Sequence, residues 1–113
     1  VFRIDFDMSV AEVLGQLPPG HASSGDVAFV GERMFVSTDS ACGGAIVEFD
    51  VASGTSEVLG GDGLGCVYGL ATVDGTLYLA NCDGKIGIFD PDSGEARVIA
   101  TTTVQAYGAD ALP

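Results

Sequence analysis

Two stretches of this sequence occur twice. Val30 to Ser37 (VGERMFVS) matches Val73 to Ala80 (VDGTLYLA) at an offset of 43. Ala45 to Leu59 (AIVEFDVASGTSEVL) matches Lys85 to Ile99 (KIGIFDPDSGEARVI) at an offset of 40. Phe49-Asp50 falls on Phe89-Asp90, and Ser53-Gly54 falls on Ser93-Gly94. The shift between the two offsets falls in the loop Thr38 to Gly44. A unit of about 40 residues that recurs this way is one supersecondary element copied along the chain. Such an element cannot bury its apolar faces alone, so it needs a neighbour on each side.

Each unit reads as four short strands, here A to D. Strand A is Asp26 to Val30 or Gly69 to Val73, and a two-residue hairpin follows, Gly31-Glu32 or Asp74-Gly75. Asp-Gly suits a type I′ turn, in which both central residues take positive φ. Strand B is Met34 to Ser37 or Leu77 to Ala80, apolar on both faces as in a strand sandwiched between sheets. Strand C is Ile46 to Phe49 or Ile86 to Phe89, and strand D is Glu57 to Leu59 or Ala96 to Ile99. The C–D turns, Asp50 to Gly54 and Asp90 to Gly94, fit a type I turn closed by a left-handed glycine. At the N-terminal flank, Ile4 to Asp7 and Glu12 to Leu14 read as strands C and D joined by a shortened turn. Tyr107-Gly108-Ala109 aligns with Tyr68-Gly69-Leu70 and reads as a further strand A.

A four-stranded antiparallel unit of this length is the blade of a β-propeller. The expected fold is therefore all-β, with a partial blade over 1–14, blades over 25–59 and 68–99, and the first strand of another over 107–113. The blocks MFVSTDSACGGAIVEFDVASGTSEVL and LYLANCDGKIGIFDPDSGEARVI resemble blades of the bacterial YVTN/NHL/quinoprotein-like propeller group, with its recurring "LYVA…G.I..FD..TG….V" pattern. The resemblance spans nearly the whole chain and implies the fold, not the task. A WD40 repeat is disfavoured, because the chain has no tryptophan.

Two full and two partial blades form an arc, not a ring, since rings take roughly four to eight blades. Open ends of an arc expose apolar faces and unpaired strand edges. Two completions follow. Copies can complete one another, a two-fold dimer giving a six-bladed ring, or the arc can belong to a longer propeller chain. The chain begins VFRID, with no secretory leader visible, and both ends read as cut.

Composition narrows the partners. Sixteen acidic residues against four basic ones (Arg3, Arg33, Lys85 and Arg97) give a net charge of −12, so nucleic-acid binding through phosphates is not expected. With 47% hydrophobic residues, disorder is not expected either. No apolar run approaches the roughly 20 residues of a spanning helix.

Cys66, just before strand A, and Cys82, just after strand B, fall at one end of the same blade and are expected to pair. Ala22 occupies the position of Cys66 in the preceding blade, so Cys42, placed as the counterpart of Cys82, is left free or pairs with another copy. Three unpaired thiols are the alternative. Acidity, few lysines and a disulfide point to a secreted, periplasmic or cell-surface setting. Zinc is disfavoured, since no CxxC pair exists and His21 is the sole histidine.

Asp39, Ser40, Asp62, Asn81 and Asp83 belong to the B–C loops and the D–A connector, which share one face. As hard oxygen donors, Asp39, Asp62, Asn81 and Asp83 are the candidate calcium ligands. The run DPDSGE lacks the further ligands of an EF-hand and reads as a hairpin turn. Gly60 to Gly65 precedes a strand rather than a helix, so it is a connector and not a phosphate loop. Tyr68 and Tyr107 read as inter-blade packing, with a channel-mouth role as the alternative. No catalytic set is visible. The expected role is a non-enzymatic binding or assembly module; the alternative is part of a lactonase- or hydrolase-like propeller enzyme with a central metal.

Overall fold

A computed structural model describes residues 1–112. The chain is all-β, and the described residues form ten strands in three antiparallel sheets. Strands β1 (Phe2–Asp5) and β2 (Val10–Val13) form a hairpin. Strands β3 (Ala22–Val30), β4 (Arg33–Asp39), β5 (Ala45–Asp50) and β6 (Thr55–Gly61) form the second sheet in sequential order. Strands β7 (Val67–Val73), β8 (Thr76–Asn81), β9 (Lys85–Asp90) and β10 (Glu95–Thr101) repeat it. Among the described residues there is no helix, hence none long and apolar enough to cross a membrane.

The turns form as their residues dictate. Asp74 and Gly75 both take positive φ (49° and 77°), the requirement of a type I′ hairpin. In the Gly31-Glu32 turn of the preceding unit only Gly31 takes positive φ, so that turn is of the II′ kind. In the C–D turns, Asp50 Oδ1 accepts from the amides of Ala52 and Ser53, and Asp90 Oδ1 from those of Asp92 and Ser93. These N–H groups hold both carboxyls below the usual range, Ser53 contributing most at Asp50 and Asp92 at Asp90.

The first hairpin differs from the sequence expectation. Its turn is not shortened: β1 ends at Asp5, and Phe6 to Ser9 form a turn of the same length as Val51 to Gly54. Asp5 Oδ1 accepts from Met8 N as Asp50 does from Ser53, and Ser9, at φ 52°, stands where Gly54 stands. No glycine marks that position, so the length of this turn has no glycine signature in the sequence.

The second and third sheets come closest along their inner strands, β3 and β7, and make far less contact at β6 and β10. They stack as successive propeller-like blades in an arc that does not close. Between them lies one apolar core of Phe35 and Ile46 from one sheet and Leu70, Leu77, Leu79 and Phe89 from the other. Leu64, from the connector, joins it. Burying such side chains contributes roughly 1.5–3 kcal/mol each, so this interface dominates the stability of the arc.

Glycine sets the outer spacing. The C–D turn at Gly94 packs on Leu59-Gly60 of the preceding blade, and the turn at Gly54 packs on Leu14-Gly15, in the same arrangement. A Cβ on Gly15 or Gly60 would collide with the facing glycine carbonyl oxygen. Strand D carries a register shift in both blades, beside Leu59 in β6 and Ile99 in β10, so Ala100 is the counterpart of Gly60.

A second correction concerns the C-terminal segment. The expected strand A over 107–113 is not formed in the described residues; Pro113 lies outside them. A strand A acquires its ladder from a strand B, as β7 does from β8, and residues 102–112 have no such partner among the described residues. Gly108-Ala109 nevertheless lies against Gly69, where an inner strand would stand.

Candidate functional site

The B–C loops and the D–A connector meet at one end of the arc, and the cysteines sit there. Val67 and Asn81 form the last rung between β7 and β8, and Cys66 and Cys82 form the next position outward. Cys82 N donates to Cys66 O, the Cα atoms are 5.7 Å apart, and the two residues are disulfide-bonded. In the preceding blade the same rung is Ala22 opposite Asp39. Asp39, not Cys42, is therefore the structural counterpart of Cys82. Cys42 lies three residues on in the longer loop, exposed and unpaired.

Asn81 is fully buried and ties this end together. Its Oδ1 accepts from Asp83 N and Lys85 N, and its Nδ2 donates to Leu64 O, 3.2 Å away. Asp62 is 3% exposed; its Oδ1 accepts from Leu64 N and Gly65 N at 3.1 and 2.8 Å. Both expected ligands thus serve the connector, where an unmade bond at a buried group would cost about 1–3 kcal/mol. Asp62 and Asp39 line one small cavity of about 70 Å³ together with Ser24, Thr38 and Tyr68. Asp83 lies instead beside the Cys66 and Cys82 sulfurs, all within 4.8 Å. Among the described residues that is the only cluster of three or more His, Cys, Asp or Glu ligand atoms. The disulfide removes its thiolates as ligands. Of the four candidates, the structure brings Asp39 and Asp62 to one cavity and leaves Asn81 and Asp83 outside it.

His21 contacts this end from the segment that leads into β3. Thr38 Oγ1 donates to Ala45 O, so its 3.1 Å contact with His21 Nδ1 assigns the ring proton to Nδ1.

At the opposite end, an open groove of about 1280 Å³ lies between the β1–β2 hairpin and the second sheet. Its cations are paired. Arg3 bonds Glu12, and Arg33 grips Glu48 with two bonds of 2.7 and 2.9 Å. Arg33 also reaches Asp92 of the next blade at 3.3 Å and lies 5.1 Å from the centre of the Phe35 ring. The bond from Arg33 holds the Glu48 carboxyl below its usual range, and Glu48 raises the Arg33 pKa in turn.

One residue that the sequence reading passed over stands on the inner strands. The β3–β4 ladder is interrupted between Ser23 and Val27, and Asp26 N bonds Ser37 Oγ instead of a strand. This frees the Asp26 carboxylate to face its neighbours. Oδ1 accepts from Val27 N at 2.9 Å, and Oδ2 from Leu70 N at 2.8 Å and Ala109 N at 3.1 Å. Ser24 Oγ adds a bond to Val67 O. The Tyr68 and Tyr107 rings stack 5.8 Å apart at 13°, so they pack on each other between successive units.

Compared with known proteins, the chain matches no family model, and no curated protein matches it.

Proposed function

We propose that this chain is a non-enzymatic propeller segment of the YVTN/NHL/quinoprotein-like kind whose task is binding or assembly. Its partial blades are completed by other copies or by further parts of a longer chain. The observation that carries this reading is the β1–β2 hairpin. It is half a blade: among the described residues β1 pairs only with β2, leaving its other edge open. Phe2, Ile4, Phe6, Met8, Val10 and Val13 are all exposed, Phe6 at 86%. Apolar side chains beside an unpaired edge are an invitation to strand addition. The inner carboxylate, Asp26, is occupied by backbone N–H groups, which favours a structural role over a central metal. The disulfide supports a location outside the cytoplasm.

Light scattering on the purified chain across a hundredfold concentration range tests this. The expected result is a particle of at least twice the 11.4 kDa chain mass, shifted toward the monomer by Phe2→Asp with Ile4→Lys. A monodisperse monomer throughout would overturn the reading.

A further inference from the structure

We propose that Asp26 is a clasp that fixes residues 106–109 in the inner-strand position of a third blade before any strand pairs with them. Residues 102–112 belong to no sheet, yet they follow a defined path. Ala106 N donates to Asn81 O, Tyr107 stacks on Tyr68, and Ala109 N reaches Asp26 across 83 positions of sequence. The three amides on this carboxylate belong to Val27, Leu70 and Ala109, which occupy equivalent positions in three successive units of the repeat. One side chain therefore spaces three units at their inner edge. Bonds to an ionised acceptor are the stronger class, and two of these three share a single oxygen.

The repeat shows why the arrangement occurs once. Gly69 is the counterpart of Asp26 in the next unit, and a Cβ there would come within 2.9 Å of Ala109 Cβ and 3.0 Å of the Gly108 carbonyl carbon. Bare backbone at Gly69 lets Gly108-Ala109 approach closely enough for Ala109 N to meet Asp26. The clasp needs both a carboxylate at 26 and no side chain at 69.

Amide hydrogen exchange resolved by residue tests this on the intact chain. In the unaltered protein, the Ala109 amide should exchange at least tenfold more slowly than a free amide, at two protein concentrations tenfold apart. Constancy between the two concentrations separates the clasp from protection by association. Asp26→Asn leaves one acceptor oxygen for three donors, so Ala109 should lose roughly tenfold or more in protection, while Leu79 and Ile46 keep theirs. Gly69→Ala keeps the carboxylate but displaces the segment; Ala109 should lose protection while Leu70 retains it. An unprotected Ala109 in the parent, or unchanged protection in folded Asp26→Asn, overturns the proposal. Should Asp26→Asn fail to fold, the contrast between Ala109 and Leu70 in Gly69→Ala decides.

Discussion

Gly60 offers a direct test of radial stacking, because its backbone φ lies outside the left-handed region and a change there acts in the folded state through contact and not through backbone strain. Adding one methyl at this position drives a Cβ into the Gly94 carbonyl oxygen of the next blade. A backbone group held at both ends by a turn cannot swing aside as a flexible side chain would, so the blades must separate locally. Overpacking of this kind costs about 1–3 kcal/mol. Against it stands a gain of about 0.4–1 kcal/mol from reduced freedom of the unfolded chain when glycine becomes alanine. The balance for Gly60→Ala is a loss of about 1–2 kcal/mol. Unfolding entropy of about 2.1 cal/mol/K per residue gives about 0.24 kcal/mol/K for 113 residues, so Tm should fall by about 4–8 °C. Circular dichroism melts, with guanidinium midpoints to confirm ΔΔG, provide the measurement. Ala100→Gly, the same position one blade later, is the control and should change Tm by no more than a few degrees, through the unfolded state only. A Gly60→Ala protein as stable as the parent, or more so, would refute the close blade-to-blade approach and the arc with it.

Two further expectations concern the covalent and ionic ties. Reduction, or Cys66→Ser with Cys82→Ser, opens a loop of sequence separation 16 and should cost about 3 kcal/mol, lowering Tm by roughly 12 °C; Cys42→Ser should leave Tm and its response to reductant unchanged. Glu48 has a carboxyl pKa lowered from its ordinary 4.5, so its pairing with Arg33 stabilises the fold above that pH and fades as pH falls through the lower folded value. Because both side chains remain partly exposed, Glu48→Gln should cost only about 0.5–1 kcal/mol at pH 7, and urea midpoints of variant and parent should converge as the solution is made more acidic.

How much of this was legible in the sequence depends on whether a residue acts within its own unit. Turns built on Asp50, Gly54, Asp90 and Gly94 were readable, because an Asp cap and a left-handed glycine complete a local hydrogen-bonded loop. The Cys66–Cys82 pairing was readable for the same reason, since both lie at one end of a single β hairpin. Ser9 was not, as its backbone does a glycine's work without a glycine's signature. The calcium expectation grouped Asp39, Asp62, Asn81 and Asp83 by face; which backbone amides each would meet depended on the path of the connector. Asp26 was the hardest. Its partners are main-chain N–H groups of other units, and main-chain groups leave no mark in a list of side chains.

The bond between Cys66 and Cys82 also decides how the arc responds to force. It ties the start of β7 to the end of β8, so a pull on the two ends of the chain bypasses the hairpin between them. With a sequence separation of 16, roughly 50 Å of contour length stays hidden until the sulfurs part. A stretched molecule would thus surrender β9 and β10 and the whole second sheet while one knot of β7, β8 and the Asp74-Gly75 turn stayed folded back on itself, its release governed by redox conditions and not by load.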